Sequence, residues 1–147
     1  MKLLLDTSIL IDVLRLRNHR NEWLAELVRA GHLLSTTTLN IAEIYAGMGP
    51  GEEARTEVLL SGLELYELSG TSARLAGRLK NTWARKGHTL TLADAIVAAI
   101  AIECGCALLT DNRKDFPMPE VQFYPLPQLG KTKRAADCSA ARRHSQD

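Results

Sequence analysis

The chain has 147 residues, 46% of them apolar and 24% charged, which suits one soluble domain with one core. Its net charge is +1, yet residues 131–147 hold five Lys/Arg against two Asp, while the other 130 residues hold thirteen against fifteen. The body is therefore net −2, which excludes a general nucleic-acid-coating surface, and the absence of any run of eighteen apolar residues excludes a transmembrane helix of the usual kind.

Lys2 to Leu5 reads as a short buried strand. Asp6 and Asp12 interrupt the apolar opening before it reaches the length of a signal peptide, so a cytoplasmic protein is expected. The spacing of Ile9, Leu10, Val13 and Leu14 predicts a helix over 7–16, and Trp23, Leu24, Leu27 and Val28 predict another from Glu22 to Ala30. A strand from His32 to Ser35, a helix over 39–48 and a helix over 52–60 follow, the last two separated by Gly49, Pro50 and Gly51. Leu63 to Leu68 reads as a strand and Thr71 to Lys86 as a long amphipathic helix stopped by Gly87. Leu92 to Cys104 is apolar almost all round, as a helix buried on most faces should be. Ala107 to Leu109 and Val121 to Tyr124 complete the strands. The alternation predicts a single α/β domain over 1–127 with a mainly parallel sheet, and a disordered basic tail over 128–147. Cys104, Cys106 and Cys138 fit neither a disulfide framework nor a zinc set, and read as free thiols.

Four acidic segments fall where a strand should meet a helix: Leu5-Asp6-Thr7-Ser8, Asn40-Ile41-Ala42-Glu43, Thr91-Leu92-Ala93-Asp94, and Thr110-Asp111-Asn112 with Asp115 behind. Each also has an ordinary explanation. Asp6 could cap its helix; Asn40 with Glu43, and Thr91 with Asp94, could form capping boxes; Asp111 could stabilise a turn, and Asp115 could pair with Arg113. A single cause covers all four: carboxylates meeting at one end of a parallel sheet make a site for a hard divalent cation.

Taken in order, Leu5-Asp6-Thr7-Ser8-Ile9-Leu10, Thr38-Leu39-Asn40-Ile41-Ala42-Glu43, Leu92-Ala93-Asp94-Ala95-Ile96 and Leu109-Thr110-Asp111-Asn112 through Asp115-Phe116 resemble the PIN-domain ribonuclease family, in its VapC-type toxin branch. The resemblance spans about residues 1–127 and implies a PIN-like fold, an RNA substrate, a VapB-type antitoxin, a homodimer and a metal-dependent endoribonuclease. Asp6, Glu43 and Asp94 match the family's three near-invariant acids. The fourth position is open between Asp111, Asn112 and Asp115, with Asp115 favoured because it precedes Phe116. For Mg²⁺, or Mn²⁺ in its place, Asp6 and Asp94 are the expected direct ligands, with Glu43 and Asp115 holding metal-bound water. Thr7, Ser8, Thr110, Asp111 and Asn112 are supporting candidates. Arg15, Arg17, Arg20, Arg85, Lys86, Arg113 and Lys114 are candidates for contact with RNA or antitoxin, and Val58, Leu59, Leu60 and Leu63 for an apolar dimer face. The competing readings are an inactive PIN-like binding module and a metal-dependent phosphatase. The phosphatase type wants an Asp where Ser8 stands.

Overall fold

The computed structural model describes residues 1–127; the expected tail and Cys138 lie outside them. Five strands form one sheet in the order β3-β2-β1-β4-β5: β1 Lys2–Leu5, β2 Leu33–Thr37, β3 Glu64–Tyr66, β4 Ala107–Leu109 and β5 Gln122–Phe123. All four pairings are parallel, which sharpens the expectation of a mainly parallel sheet. Six helices provide the crossovers: α1 Thr7–Leu14, α2 Arg20–Arg29, α3 Thr38–Ala46, α4 Glu53–Ser61, α5 Gly70–Arg85 and α6 Leu92–Cys104. A 3-10 turn, Arg113–Asp115, links β4 to β5. No helix among the described residues is long and apolar enough to cross a membrane.

Strand periodicity divides the core. On β1, Leu4 points to one face and joins Leu108, Leu79, Val97 and Ile100 beneath α5 and α6. Leu3 and Leu5 point to the other and join Leu109, Ile9, Leu10, Leu24 and Ile44 beneath α1, α2 and α3. A central parallel strand covered on both faces must be apolar at every position, hence the Leu3-Leu4-Leu5 run. Buried Ala95, Ala98, Ala99 and Ala101 present little bulk on α6, so this helix can lie close to its neighbours. Gly105 ends it at φ +65°, a left-handed conformation that favours glycine.

The chain builds outward from β1 through β2 to β3, then returns to β1's other side with β4. The strand order reverses there. Such a switch point opens a crevice beyond the carboxyl ends of the strands.

Candidate active site

Asp6 stands at the carboxyl end of β1 and at the N-cap of α1, but its side chain makes no capping bond. Its oxygens are directed sideways instead. Thr110 Oγ1, at the end of β4, donates to Asp6 Oδ2 at 2.8 Å, and Asn40 Nδ2 of α3 donates to Oδ1 at 3.4 Å. Thr110 is almost fully buried, and its hydroxyl also accepts the Asn112 amide at 3.1 Å.

Asn40 is the hub of this arrangement. The cap of α3 is Thr37, three residues earlier than expected, and Asn40 occupies the third helical position. Thr37 Oγ1 accepts the Asn40 amide at 3.1 Å while Asn40 Oδ1 accepts the Thr37 amide at 3.3 Å. That pairing turns Nδ2 the other way, towards Asp6 and Thr7 Oγ1, the latter at 2.9 Å. Thr7 in turn donates to Glu43 Oε1 at 3.3 Å. Glu43 therefore lies a turn beyond the capping box and has no capping duty. Asp94 keeps half of its expected box: its amide donates to Thr91 Oγ1 at 3.1 Å, but no reciprocal side-chain bond closes it.

The three acids are all held above the ordinary carboxylate range, and partial burial is the leading cause in each. The bonds from Thr110, from the Thr7 backbone and from Asn40 pull Asp6 back down, while the charge of Asp115 pushes it up. Glu43 is lowered by Thr7 and raised by Asp6 and Asp94. Asp94 is lowered by Thr91 and raised by Asp115 and Asp6. Mutual repulsion is present as expected, but desolvation outweighs it. The only salt bridges among the described residues belong to Arg20, so no cation among those residues pairs with Asp6, Glu43 or Asp94. Among the same residues no three His, Cys, Asp or Glu side chains are placed to grip one ion together.

The sequence pattern of the PIN domain matches residues 3–121. The chain belongs to the PIN-domain family. Ribonuclease VapC19 of Mycobacterium tuberculosis is 32% identical over 120 residues, covering 81% of this chain and 96% of that protein. Ribonuclease VapC10 of the same species is 29% identical over 133 residues, covering 90% and 99%. In structure, VapBC2 from Rickettsia felis, bound to a promoter DNA fragment, superposes with a TM-score of 0.77 at 21% identity, covering 86% of this chain and 100% of the matched one. Within the family this PIN domain is a ribonuclease toxin of the VapC type from a toxin–antitoxin system.

The alternatives for its fourth acid separate in space. Asp115 is half-buried at the end of the 3-10 turn, anchored by the buried Phe116 and Met118, and its charge acts on both Asp6 and Asp94. Asp111 acts on neither and accepts Arg20 Nη2 at 2.8 Å. Asn112 is exposed, and only its backbone amide joins the network. Ser8 Oγ accepts the Asp111 amide at 3.4 Å.

The expected cation set needs one correction. Arg20 is 4% exposed and committed to Asp12 and Asp111, so it cannot meet RNA or antitoxin as a surface residue. Arg15, Arg17, Arg85, Lys86 and Lys114 are exposed. Lys86 lies over the Trp83 ring at 4.5 Å; Arg113 lies over Phe123 at 4.9 Å and donates to the Tyr124 carbonyl at 3.4 Å. Buried Asp12 and the hub Asn40 escaped sequence reasoning. A signal for each was present: a lone Asp within the apolar side of α1, and an Asn three residues after Thr37.

Proposed function

We propose that this chain is a Mg²⁺-dependent endoribonuclease, with Mn²⁺ able to substitute, that acts in the cytoplasm as the toxin partner of a VapB-type antitoxin. The reading is supported by the mutual charge effects among Asp6, Glu43, Asp94 and Asp115, with no salt bridge to any of them among the described residues. Asp6 and Asp94 would hold the ion directly; Glu43 and Asp115 would hold its waters. The bound ion supplies an activated water and a clamp on the oxygens of the scissile phosphate. Thr110 and Asn40 fix the orientation of Asp6, so its carboxylate need not be ordered afresh when the ion arrives. Thr7 does the same for Glu43, the acid best placed by its exposure to orient an attacking water. Exposed Arg15, Arg17, Arg85, Lys86 and Lys114 offset the approach of a polyanion to an acidic crevice.

An antitoxin partner is supported by the solved neighbours, which include a toxin–antitoxin complex from Klebsiella pneumoniae. A groove of about 40 Å³ between α1, α3 and α4, lined by Ile11, Leu14, Ile44 and Met48 with Arg15 and Glu52, could receive an apolar anchor of that partner. A homodimer is supported by exposed Val58, Leu65 and Leu68. Leu60 is buried, and Leu59 and Leu63 pack into the core, so Val58 alone of the four expected residues is free for that face.

The test is incubation of purified protein with total RNA in Mg²⁺, Mn²⁺ or EDTA, with cut sites mapped by sequencing. Internal cuts that need the ion and vanish in Glu43→Gln are expected. Cleavage that persists in EDTA would overturn the metal-dependent reading.

A further inference from the structure

The segment between α1 and α2 holds three non-glycine residues in the left-handed region: Leu16 at φ 54°, Asn18 at 56° and His19 at 53°. Each such residue is disfavoured, and a cluster persists only where the surroundings over-determine it. Here the surroundings are Asp12. Its backbone carbonyl accepts the Arg17 amide at 2.8 Å, and its buried carboxylate accepts Asn18 Nδ2 at 2.9 Å and Arg20 Nε at 3.4 Å. The strained loop thus delivers one buried side chain, Arg20, whose guanidinium also lies 5.6 Å from the Trp23 ring centre. Arg20 then spans 91 residues of sequence to Asp111.

Asp111 belongs to the segment that carries the rest of the site. Its neighbour Thr110 donates to Asp6, its own amide donates to Ser8 of α1, and the Asn112 carbonyl starts the turn that ends at Asp115. We propose that Arg20 is a positioning residue, a buried pin that joins Asp12 of α1 to Asp111 and so fixes Thr110 against Asp6 and Asp115 beside Asp6 and Asp94. This rests on the reading of those acids as the metal site. The pin explains why a polar triad is kept between α1 and an otherwise exposed loop. It also explains why Asp111, adjacent in sequence to the acids, is turned away from them. The guanidinium is not saturated by its two acids: Nη1 has no protein partner among the described residues, so the contact is held by direction rather than by full pairing.

The experiment measures Mn²⁺ binding by electron paramagnetic resonance, and RNA cleavage, for the parent, Asp111→Ala, Arg20→Met, the double variant and Asp94→Asn. Asp111→Ala leaves the Arg20–Asp12 pair intact but strips Nη2 of its partner, so it should stay folded and melt somewhat below the parent, and bind Mn²⁺ about 10-fold more weakly, the range for losing support behind a ligand. Cleavage should fall in kcat with KM for RNA unchanged. Arg20→Met should melt lower, because Asp12 loses its partner, and should show the same Mn²⁺ defect; the double variant should add no more than about two-fold, since both changes remove one contact. Parental Mn²⁺ binding in Asp111→Ala overturns the pin, while loss of binding in Asp94→Asn keeps the metal-site reading. If Asp111 were itself a ligand, Arg20→Met would free it and binding would hold or tighten, which also overturns the pin. A parent that binds no Mn²⁺ overturns the metal site and the pin together.

Discussion

Asp94→Asn separates a metal site from a helix cap. The side chain is half-buried, makes no capping bond of its own and feels the charges of Asp115 and Asp6. The amide bond to Thr91 Oγ1 is a backbone contact and survives the change. Removing the charge relieves repulsion worth roughly 0.5 kcal/mol per neighbour after solvent screening. It also forfeits about 0.5 kcal/mol of favourable interaction with the helix N-terminus. In EDTA the variant should therefore lie within about 1 kcal/mol of the parent, on the stable side, or about 2–4 °C in melting temperature for a chain of this size. Mg²⁺ at ten times its dissociation constant should stabilise the parent by about 1.4 kcal/mol through mass action, and the variant by close to nothing. Thermal melts of both proteins in EDTA and in Mg²⁺ give all four numbers. A variant that is less stable in EDTA yet gains the parent's full increment from Mg²⁺ would refute the reasoning.

The metal-free protein should lose stability as pH rises. Asp6, Glu43 and Asp94 all have folded pKa values above their unfolded ones, so the folded state binds more protons through that window. Denaturant unfolding in EDTA should therefore show a contribution that is present near the unfolded carboxylate range, fades as pH climbs through the raised values and is flat beyond; a rise over that window would contradict it. Asn40→Ala should cost about 2–3 kcal/mol in urea titration, since it strips the reciprocal half of the cap and leaves the Thr37 amide and Asp6 Oδ1 without their Asn40 partner. Gly105→Ala should cost about 1 kcal/mol from backbone strain alone, because the space around its Cβ is open; an unchanged melting temperature would show that the α6 terminus relaxes.

Asp6 and the Thr110–Asp115 segment could be read in the sequence because each follows an apolar strand, β1 or β4; Glu43 instead lies in the second turn of α3 and Asp94 opens α6 from the loop after α5, so these two do not stand at the strand-to-helix junctions expected of them. Asp6, Glu43 and Asp94 needed no knowledge of what lies across the crevice. The capping of α3 was displaced because Thr37 and Asn40 are both good caps, and the choice between them depends on β2 running two residues beyond Ser35 to stay paired with β3. Arg20 was read as surface because arginine usually is. Its burial follows from Asp111, 91 residues away, a pairing that no window of sequence contains. Asp115 and Asp111 are equivalent acids in the sequence; their different surroundings, the end of the 3-10 turn for one and the Arg20 contact for the other, come from the fold.

The sheet order has a consequence for how activity comes into being. Asp6 lies at the end of the central strand, but the hydroxyl that orients it comes from Thr110, 104 residues later, at the end of β4 beyond the α5–α6 crossover. No shorter fragment assembles the four carboxylates. During synthesis the first acid made waits for the last, and an intermediate lacking β4 carries the charges without their geometry. Phosphodiester cleavage should therefore switch on in one step with the closing of the sheet.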